Sequence, residues 1–402
     1  MRRGIRPSHR PSGTDLRLRR YYIGPKICKC IPVKIAQISP LIESVPPRLY
    51  GGTERVVAYL TDELVRQGHD VTLFASGDSQ TSAKLVPGSR EALRLDPDVR
   101  EHIPHHLMMM EQVKQLAPGF DILHFHTDLV HFPVFSGTGT PTLTTLHGRQ
   151  DLFELRDFYT SFPNMPLVSI SEAQRKPILD ATFAGTVLHG LPADLLPPTL
   201  RPCGNYLAFV GRISPEKGVD RAIEIARAAD MPLKIAAKVD RADEAYFREQ
   251  IAPLLTAPGV KYIGEINERE KARFLGEAAA LLFPIDWPEP FGLVMIEAMA
   301  CASPVVAFDR GSVREVIDHG VTGWIVGGTE EASRAVKPVI QLDRKTVRRR
   351  FEQRFTARRM ADDYVRLYQQ VIARRCSANV IPMSRALAIR QGAEQRQLQP
   401  SA

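Results

Sequence analysis

Two series of short apolar runs that alternate with amphipathic helices are the feature that most constrains the fold. The first series places predicted strands at residues 33–39, 71–75, 121–126, 142–147 and 167–170. The second places them at residues 206–210, 233–237, 261–263, 280–284 and 305–308. Apolar runs separated by helices are typical of parallel strands that are covered on both faces. The sequence therefore predicts an α/β protein with two doubly wound, Rossmann-like domains.

The boundaries of these domains follow from changes in the pattern. Residues 189–204 are rich in Pro and Gly and are predicted to link a domain at 33–188 to a second domain at 205–343. The second domain contains predicted helices at 217–229, 243–256, 268–277, 291–300 and 330–342. Because ligands of such sheets bind beyond the carboxyl ends of the strands, we expect a site in the cleft between the domains.

The two ends of the chain have a different character. A long helix is predicted at residues 344–373 and a polar tail at 374–402. Residues 1–32 are basic and lack an apolar h-region, which argues against a secretory signal. They are predicted to be a disordered leader or to precede the real start of the protein, and a transit peptide is the alternative.

Charge and cysteine content limit the partners and the compartment. The net charge of +8 divides into +9 for residues 1–34, +10 for residues 344–402 and −11 for the residues between them. An acidic body argues against a nucleic-acid-binding core. The basic tails are predicted to be solvated, as such tails usually are. The alternative is that they, together with Arg348–Arg350, contact an anionic membrane. Five scattered cysteines are typical of a reducing cytoplasm, so we expect a cytoplasmic protein, with peripheral contact at the inner membrane face left open.

Two carboxylates, Glu289 and Glu297, flank the predicted start of an apolar helix. Pro290 suits a helix entry, where the first N–H groups have no intrahelical partner. These N–H groups and the helix dipole attract phosphate, and Gly292 lets a ligand approach the backbone. A ligand that carries both phosphates and hydroxyls, such as a nucleotide sugar, would suit this site. The alternative is a surface Glu before an ordinary core helix.

Basic and glycine residues lie at two further strand ends. Arg212 and Lys217 follow the first strand of the second domain, where they could neutralise a diphosphate leaving group. Two exposed basic residues on a turn are the alternative. Gly51 and Gly52 follow the first strand of the chain and could offer N–H groups to a phosphate or a sugar oxygen. A simple loop with a helix cap is the alternative there.

Polar residues also end strands of the first domain. His147 is followed by Gly148, which leaves space for a substrate, although a histidine at such a position is often structural. His126 and Asp128 lie at the end of the preceding strand. Arg175 lies one turn into a helix and could reach the same cleft. The run 96–98, Asp-Pro-Asp, resembles the metal-binding motif of other sugar transferases, but no strand precedes it, and we interpret it as a turn.

Taken together, these motifs resemble those of glycosyltransferase family 4. The resemblance covers residues 33–372 and rests on the glycine pair, on G-R-x-x-x-x-K-G at 211–218 and on E-P-F-G-L-x-x-x-E at 289–297. It is strongest to bacterial members near the diacylglycerol glucosyltransferases. It implies the GT-B fold, in which two Rossmann-like domains face each other across a cleft. It also implies retaining transfer of a hexose from a nucleotide sugar, with a UDP-sugar favoured, to a hydroxyl acceptor that is a sugar, a lipid or another compound.

The resemblance also implies roles for individual residues. Arg212 and Lys217 would hold the donor diphosphate. Glu297 would hydrogen-bond the ribose hydroxyls, and Glu289 would lie at the transferring face of the sugar. The catalytic set implied in this way is His147, Glu289, Arg212 and Lys217. The implied donor-binding set is Gly51, Gly52, Arg212, Lys217, Glu289, Phe291, Gly292, Leu293 and Glu297. The acceptor region is predicted to include His126, Asp128 and Arg175. The family transfers sugars without a divalent metal or a cofactor, so neither is expected here, and the final helix would cross back to the first domain.

The chain departs from the family's sequence pattern at two places, and three other functions are left open. Many members have Asn-Gly at the linker, where this chain has His189-Gly190, and Gly-x-Pro where it has Ala302-Ser303-Pro304. A GT-B-like sugar-nucleotide epimerase, a phosphorylase and a non-catalytic sugar-nucleotide or glycan-binding protein are the alternatives to a transferase. Nucleic acid is not expected as a partner, and the oligomeric state is left open.

Overall fold

Two parallel β-sheets, each covered by helices, form the body of the protein. The computed structural model describes residues 32–48 and 51–379, with the side chains of 376–379 left out. The predicted leader and most of the predicted tail lie outside this range. Both sheets belong to one compact unit that begins at Val33. The predicted α/β class with two doubly wound sheets is confirmed.

The first sheet has seven parallel strands in the order β3-β2-β1-β4-β5-β6-β7. Its strands are β1 (Lys34–Ile38), β2 (Asp70–Ser76), β3 (Lys84–Ser89), β4 (Ile122–Phe125), β5 (Thr142–Thr145), β6 (Leu167–Ser169) and β7 (Phe183–Thr186). The sheet and its helices are called the first lobe below. The chain order reverses between β1 and β4. Sheets of this kind bind ligands at such a point, beyond the carboxyl ends of the strands.

The second sheet has six parallel strands in the order β10-β9-β8-β11-β12-β13. Its strands are β8 (Leu207–Arg212), β9 (Leu233–Lys238), β10 (Val260–Gly264), β11 (Ala280–Phe283), β12 (Val305–Phe308) and β13 (Gly323–Val326). This sheet and its helices are called the second lobe. Residues 189–204 join the lobes through turns and extended segments.

Helices cover both faces of each sheet. Those of the first lobe are α1 (Gly52–Arg66), α2 (Ile103–Leu116), α3 (Phe132–Phe135), α4 (Phe153–Thr160) and α5 (Glu172–Arg175). Those of the second lobe are α6 (Val219–Ala228), α7 (Glu244–Tyr246), α8 (Glu268–Glu277), α9 (Leu293–Ala300), α10 (Val313–Val316) and α11 (Thr329–Val339). Two further helices, α12 (Arg344–Arg354) and α13 (Ala357–Asn379), close the described chain.

Three strands, β3, β7 and β13, were not predicted, and all three lie at sheet edges. An edge strand is half exposed, so it lacks the continuous apolar run that marks a central strand. β3 also contains Pro87 and Gly88. The helix predicted at 243–256 is present as a helical segment of mixed type, because α7 continues into a π-helix at Phe247–Ile251 and a 3-10 helix at Ala252–Thr256. Pro253 cannot donate the backbone hydrogen bond that an α-helix needs at this point.

The single helix predicted at 344–373 is also corrected, because the structure has two helices with a break at Phe355 and Thr356. Here the linker pairs with the chain: Leu191 N donates to Phe355 O at 2.9 Å, and Ala357 N donates to Leu191 O at 2.7 Å. These bonds take backbone groups that a continuous helix would use. The second helix continues past residue 373 to Asn379, the last residue that the structure describes.

The second helix, α13, completes the core of the first lobe. Met360, Tyr364 and Tyr368 are fully buried against β1, β4, β5 and α1. α12 instead packs on α9 of the second lobe. The end of the chain therefore contributes to both lobes, and the exact domain boundaries stay a prediction. No helix in the described part of the chain has the length and apolarity needed to cross a bilayer.

Candidate functional site

A cleft of about 460 Å³ lies between the carboxyl ends of the two sheets. Ten predicted residues line it: Gly51, Gly52, His147, Arg212, Lys217, Glu289, Phe291, Gly292, Leu293 and Glu297. They come from loops at the ends of β1, β5, β8 and β11, which is the edge where doubly wound sheets bind ligands. The structure thus brings the predicted catalytic and donor-binding residues together, while their roles stay predictions.

Arg212 is the last residue of β8, and carboxylates surround its guanidinium group. Glu216 Oε1 lies 2.6 Å from Nη2, Asp240 Oδ2 lies 3.5 Å from Nη1 and Asp243 Oδ2 lies 3.6 Å from Nε. Burial would raise the pKa of Glu216, but hydrogen bonds from the backbone, from Ser214 and from Arg212 outweigh it and lower the pKa. An anion that binds Arg212 must therefore compete with these carboxylates for a side chain that is one-third exposed.

Lys217 and Glu289 form an ion pair in the cleft, with Lys217 Nζ 2.6 Å from Glu289 Oε2. The same carboxylate oxygen accepts from Trp287 Nε1 at 2.8 Å, and Lys217 lies 4.7 Å from the centre of the Trp287 ring. Gly218 supports this loop with a left-handed backbone, at φ 72°. A cation and a carboxylate are therefore held side by side, with Glu289 only 9% exposed.

Glu297 lies on the first turns of α9, where two cations hold it ionised. Lys271 Nζ of α8 is 2.8 Å from Glu297 Oε1, and Arg55 Nη1 of α1 is 3.9 Å from it. Burial would raise the pKa of Glu297, but Lys271 and Arg55 outweigh it and lower the pKa. An ionised carboxylate only accepts hydrogen bonds, so Glu297 suits a ligand with adjacent hydroxyl groups. Arg55 also pairs with Glu268.

Arg55 and Glu268 belong to different lobes, and other contacts join the lobes beside the cleft. Ser171 Oγ donates to Pro290 O at 2.6 Å. Glu315 accepts from the backbone N–H groups at the start of α5, at 2.7 and 2.8 Å. Gly52 of the first lobe faces the second, because a Cβ at this position would lie 3.8 Å from Leu293 Cδ1. The cleft is therefore closed enough for residues of both lobes to reach one ligand.

Gly292 and Phe291 form the start of α9. Gly292 has φ 81°, in the left-handed region that favours glycine. A Cβ here would approach Met295 Cε at 2.7 Å. The Phe291 ring is buried and meets His189 edge-on, with the ring centres 4.9 Å apart. The loop that precedes α9 is therefore rigid and brings its backbone close to the cleft.

His147 lines the cleft from the first lobe. Burial lowers its pKa to about 3, so the ring is neutral. Its Nε2 lies 2.8 Å from His126 Nδ1, and the ring stacks against His189 with the centres 5.4 Å apart. The histidine is thus part of a buried polar network.

The predicted acceptor residues do not line the cleft. His126 is buried behind His147. Asp128 is exposed and has a positive φ of 48°. Arg175 lies over the Phe183 ring at 4.4 Å and pairs with Glu172 at 3.2 Å, on the surface of the first lobe. The predicted turn at 96–98 is confirmed, because Asp98 N donates to Asp96 Oδ1 at 3.1 Å.

Several cleft residues were not predicted. Arg55, Lys271, His189, Trp287 and Lys238 all line the cleft. Among the described residues, the buried Nδ1 of His189 has no hydrogen-bond partner. Trp287 lies two residues before Glu289 and could have been found from that proximity. The sequence around Lys271 does not indicate a position in the cleft, because a lysine on a polar helix is ordinarily solvated.

Arg348, one of the three basic residues considered for membrane contact, binds backbone carbonyls of the protein. Its guanidinium group donates to Leu196 O at 2.9 Å, to Ala300 O at 2.6 Å and to Ala193 O at 2.6 Å. Arg350 lies 3.4 Å from Asp318. Arg348 therefore supports α9 and the linker rather than forming part of a solvated or lipid-facing basic patch.

Comparisons with known proteins agree with this geometry. Residues 50–179 match the family described as Glycosyltransferase Family 4, and residues 199–357 match Glycosyl transferases group 1. A phosphatidyl-myo-inositol mannosyltransferase of Mycolicibacterium smegmatis is 25% identical over 331 residues, which are 73% of this chain and 81% of that protein.

Two solved structures share the fold. Sucrose-phosphate synthase of Thermosynechococcus elongatus has a TM-score of 0.72 at 18% identity, over 85% of this chain and 99% of that one. The Anabaena protein HepE, in complex with UDP and glucose, has a TM-score of 0.65 at 17% identity, over 83% of this chain and 98% of that one.

Proposed function

Since the chain belongs to the family 4 glycosyltransferases and has their GT-B fold, we propose that it transfers a hexose from a nucleotide sugar to a hydroxyl acceptor, with retention of the anomeric configuration. A UDP-sugar is the favoured donor. The observation that carries the proposal is the arrangement of two cations, Arg212 and Lys217, and two carboxylates, Glu289 and Glu297, around one cleft that His147 also lines.

Each part of the donor has a chemical counterpart in the cleft. The diphosphate would bind between Arg212 and Lys217, where it competes with Glu216 and Glu289 for these cations. The ionised Glu297 would accept hydrogen bonds from the ribose hydroxyls. Negative charge grows on the diphosphate as the sugar bond breaks, so two fixed cations stabilise the transition state more than the ground state.

The proposed transfer is metal-independent and takes place at one face of the sugar. Lys217 and Arg212 supply the positive charge that a divalent cation provides in other sugar transferases. The leaving phosphate would help to deprotonate the acceptor hydroxyl, while Glu289 lies at the transferring face of the sugar. Activity is expected to persist in excess EDTA, and NMR of the product is expected to show the anomeric configuration of the donor. Loss of activity in EDTA would contradict metal independence, and an inverted product would contradict retention.

Donor binding is the first test. We expect isothermal titration to show binding of UDP-glucose or another nucleotide sugar, and Arg212→Ala to weaken it by about tenfold or more, the value of a hydrogen bond to a charged group. Glu297→Gln is expected to weaken it through the ribose. Glu330→Ala, at an exposed position of α11, is the matched control. The proposal fails if no nucleotide sugar binds at millimolar concentration.

Product analysis separates the transferase from the alternatives. Release of the nucleoside diphosphate only with an acceptor indicates transfer, while conversion of the donor to its epimer without an acceptor indicates an epimerase. A phosphorylase would release sugar phosphate, and a binding protein would leave the donor unchanged. The mannosyltransferase relative is named for an inositol phospholipid, so sugar, inositol and lipid acceptors belong in the screen. We infer that the reaction takes place in the cytoplasm, where nucleotide sugars and reduced cysteines are both expected.

A further inference from the structure

Lys271 is a buried lysine of the cleft that forms two ion pairs beside the helix that carries Glu297. Its Nζ lies 2.8 Å from Glu297 Oε1 and 3.1 Å from Glu268 Oε1. Only 8% of Lys271 and 5% of Glu297 are exposed. Because the burial of an unpaired charge is costly, the lysine and the Glu297 carboxylate hold each other in place.

The cations approach one oxygen of Glu297 and leave the other open. Lys271 Nζ at 2.8 Å and Arg55 Nη1 at 3.9 Å both face Oε1. Within the part of the chain that the structure describes, Oε2 receives no hydrogen bond, and Glu297 lines the cleft. The two oxygens are chemically equivalent, so rotation of the carboxylate gives the same result. One oxygen is held by the cations, and the other is available to a ligand.

Arg55 brings its charge to Glu297 from the other lobe. It lies on α1, whereas Glu297 lies on α9, and it also pairs with Glu268 of α8. The positive charge beside Glu297 therefore depends partly on the lobes being together. A charged carboxylate forms stronger hydrogen bonds than a neutral one, and a carboxylate that is already held in place loses less freedom when a ligand binds.

We propose that Lys271 is a positioning residue for the ribose of the donor. It holds one oxygen of Glu297 so that the other accepts a hydrogen bond from a ribose hydroxyl, and Arg55 reinforces this arrangement from the first lobe. The inference rests on the proposed function for the ribose, but not for the state of Glu297. Lys271 also lines the cleft, so the experiment must separate this role from direct contact with the donor.

Two nucleotides separate these roles. Isothermal titration compares UDP with 2′,3′-dideoxyuridine diphosphate, which lacks the ribose hydroxyls. Lys271→Met is expected to weaken the binding of UDP about tenfold, the value of a hydrogen bond to a charged group, and to leave the binding of the dideoxy nucleotide nearly unchanged. Equal losses for both nucleotides would show that Lys271 acts on another part of the donor and would overturn the inference.

Arg273→Met is the matched control. Arg273 is an exposed cation of the same helix, α8, and its replacement should leave both affinities unchanged. A loss as large as that in Lys271→Met would indicate a general effect of charge and would overturn the inference. If Lys271→Met does not fold, Arg55→Met takes its place. Its loss of UDP affinity should be smaller, because Arg55 lies farther from the carboxylate, and an equal loss for the dideoxy nucleotide would contradict the inference.

The pH dependence of binding provides a second readout. Burial raises the pKa of Glu297, but Lys271 and then Arg55 outweigh it and lower the pKa. Without Lys271, the carboxylate should take up a proton as the pH falls from 7.5 to 6, and the preference for UDP over the dideoxy nucleotide should fall with it. The wild type should keep a constant preference, because the phosphates of the two nucleotides titrate alike. A constant preference in Lys271→Met would contradict the inference.

The other groups around Glu297 do not titrate in this range. Burial raises the pKa of the Tyr59 hydroxyl and raises that of the Cys301 thiol to about 12, so both stay protonated. The charged groups on the surrounding helices are Lys271 and Glu268 on α8, Arg55 on α1 and Arg348 on α12.

Carbon NMR tests the state of Glu297 without a ligand. In protein labelled with ¹³C at the glutamate carboxyls, the signal of Glu297 is assigned by comparison with Glu297→Gln. At about pH 6 it is expected to be that of an ionised carboxylate in the wild type and of a protonated one in Lys271→Met. An ionised carboxylate in both proteins would overturn the inference. If UDP does not bind to the wild type, the proposed function fails, while this measurement still decides whether Lys271 holds Glu297 ionised.

Discussion

Lys217 and Glu289 show how a single pair can serve both stability and donor binding. The two side chains are mostly buried, and their closest atoms lie 2.6 Å apart. A diphosphate that binds Lys217 must replace the favourable interaction with Glu289. The cation is therefore held at its position by an internal carboxylate that a ligand can displace.

Removing Lys217 is expected to destabilise the protein by leaving Glu289 without its cation. Lys217→Met should cost about 2 kcal/mol, because Trp287 remains as a neutral donor. Adding Glu289→Gln should recover most of that loss, since the buried charge is removed, but it should not recover donor binding. Calorimetric melting temperatures of the single and double variants provide the measurement.

Lys261→Met is the control, because Lys261 is an exposed lysine of β10 and its replacement should shift the melting temperature by less than 1 °C (about 0.5 kcal/mol or less for a surface change). A double variant that is less stable than Lys217→Met would contradict this account of the pair.

At the scale of elements, α12 connects the end of the chain to the helix that carries Glu297. Ala300 is the last residue of α9, and its carbonyl is one of the groups that have no intrahelical partner. Arg348 donates to it, and also to two carbonyls of the linker. A cation at the C-terminal end of a helix also interacts favourably with the helix dipole.

Arg348→Ala is therefore expected to destabilise the protein by about 3 kcal/mol, because three carbonyls lose a charged donor. Thermal unfolding monitored by circular dichroism provides the measurement. Within the described part of the chain, the neighbouring Arg349 is exposed and donates only to Thr346 at 3.3 Å, so Arg349→Ala should have an effect below about 0.5 kcal/mol. Equal effects in the two variants would show that the carbonyl contacts contribute little.

At the scale of the whole molecule, several neutral imidazoles lie in the described interior. Burial lowers the pKa of His124, His126, His131, His147 and His189. In the unfolded chain, each of these rings takes up a proton as the pH falls through about 6.5. The folded state cannot do so, and its stability must therefore fall in acid.

We expect the melting temperature to decrease as the pH is lowered from 6.5 toward 4.5. Each ring contributes up to about 1.4 kcal/mol per pH unit, because the unfolded state binds more protons than the folded state. Glu54 acts in the opposite direction, because burial raises its pKa to about 7 and the folded state binds its proton first. Burial also raises the pKa of Glu43, Asp128 and Asp243, but the five rings outweigh these carboxyls, and the net slope follows the histidines.

Calorimetry between pH 8 and pH 5 measures this slope. His131→Gln should make the slope shallower, because it removes one of the rings that only the unfolded chain protonates. The ring of His131 contacts Thr144 at 2.8 Å. A melting temperature that does not vary between pH 7 and pH 5 would contradict the assignment of neutral rings.

The sequence predicted the central parts of the molecule better than its margins. The central strands are continuous apolar runs, and the residues at their carboxyl ends, such as Arg212 and His147, could be placed at the cleft from the topology alone. The edge strands β3, β7 and β13 lack that signal because they are half exposed. The break between α12 and α13 depends on Leu191, which lies more than a hundred residues earlier in the chain.

Cleft residues that were not predicted depend on how the lobes approach each other. Arg55 is an ordinary helix residue until Glu268 and Glu297 of the other lobe come within reach. Lys271 is buried only because α8 packs beside α9. No periodic pattern or motif in the sequence marks either contact. The predicted acceptor residues do not line the cleft, because strand order within the first lobe does not show that His126 lies behind His147. Their role in acceptor binding stays a prediction.

The position of α13 has a consequence for synthesis on the ribosome. The strands of the first lobe end at Thr186, but Met360, Tyr364 and Tyr368 complete its core. Translation of the residues between Thr186 and Met360 takes about 10–35 s at about 5–20 residues per second. During that interval the nascent first lobe exposes the apolar surface that α13 later covers, and pulse proteolysis of stalled chains should find it cleavable until the helix has emerged. The first lobe is thus made early but completed late.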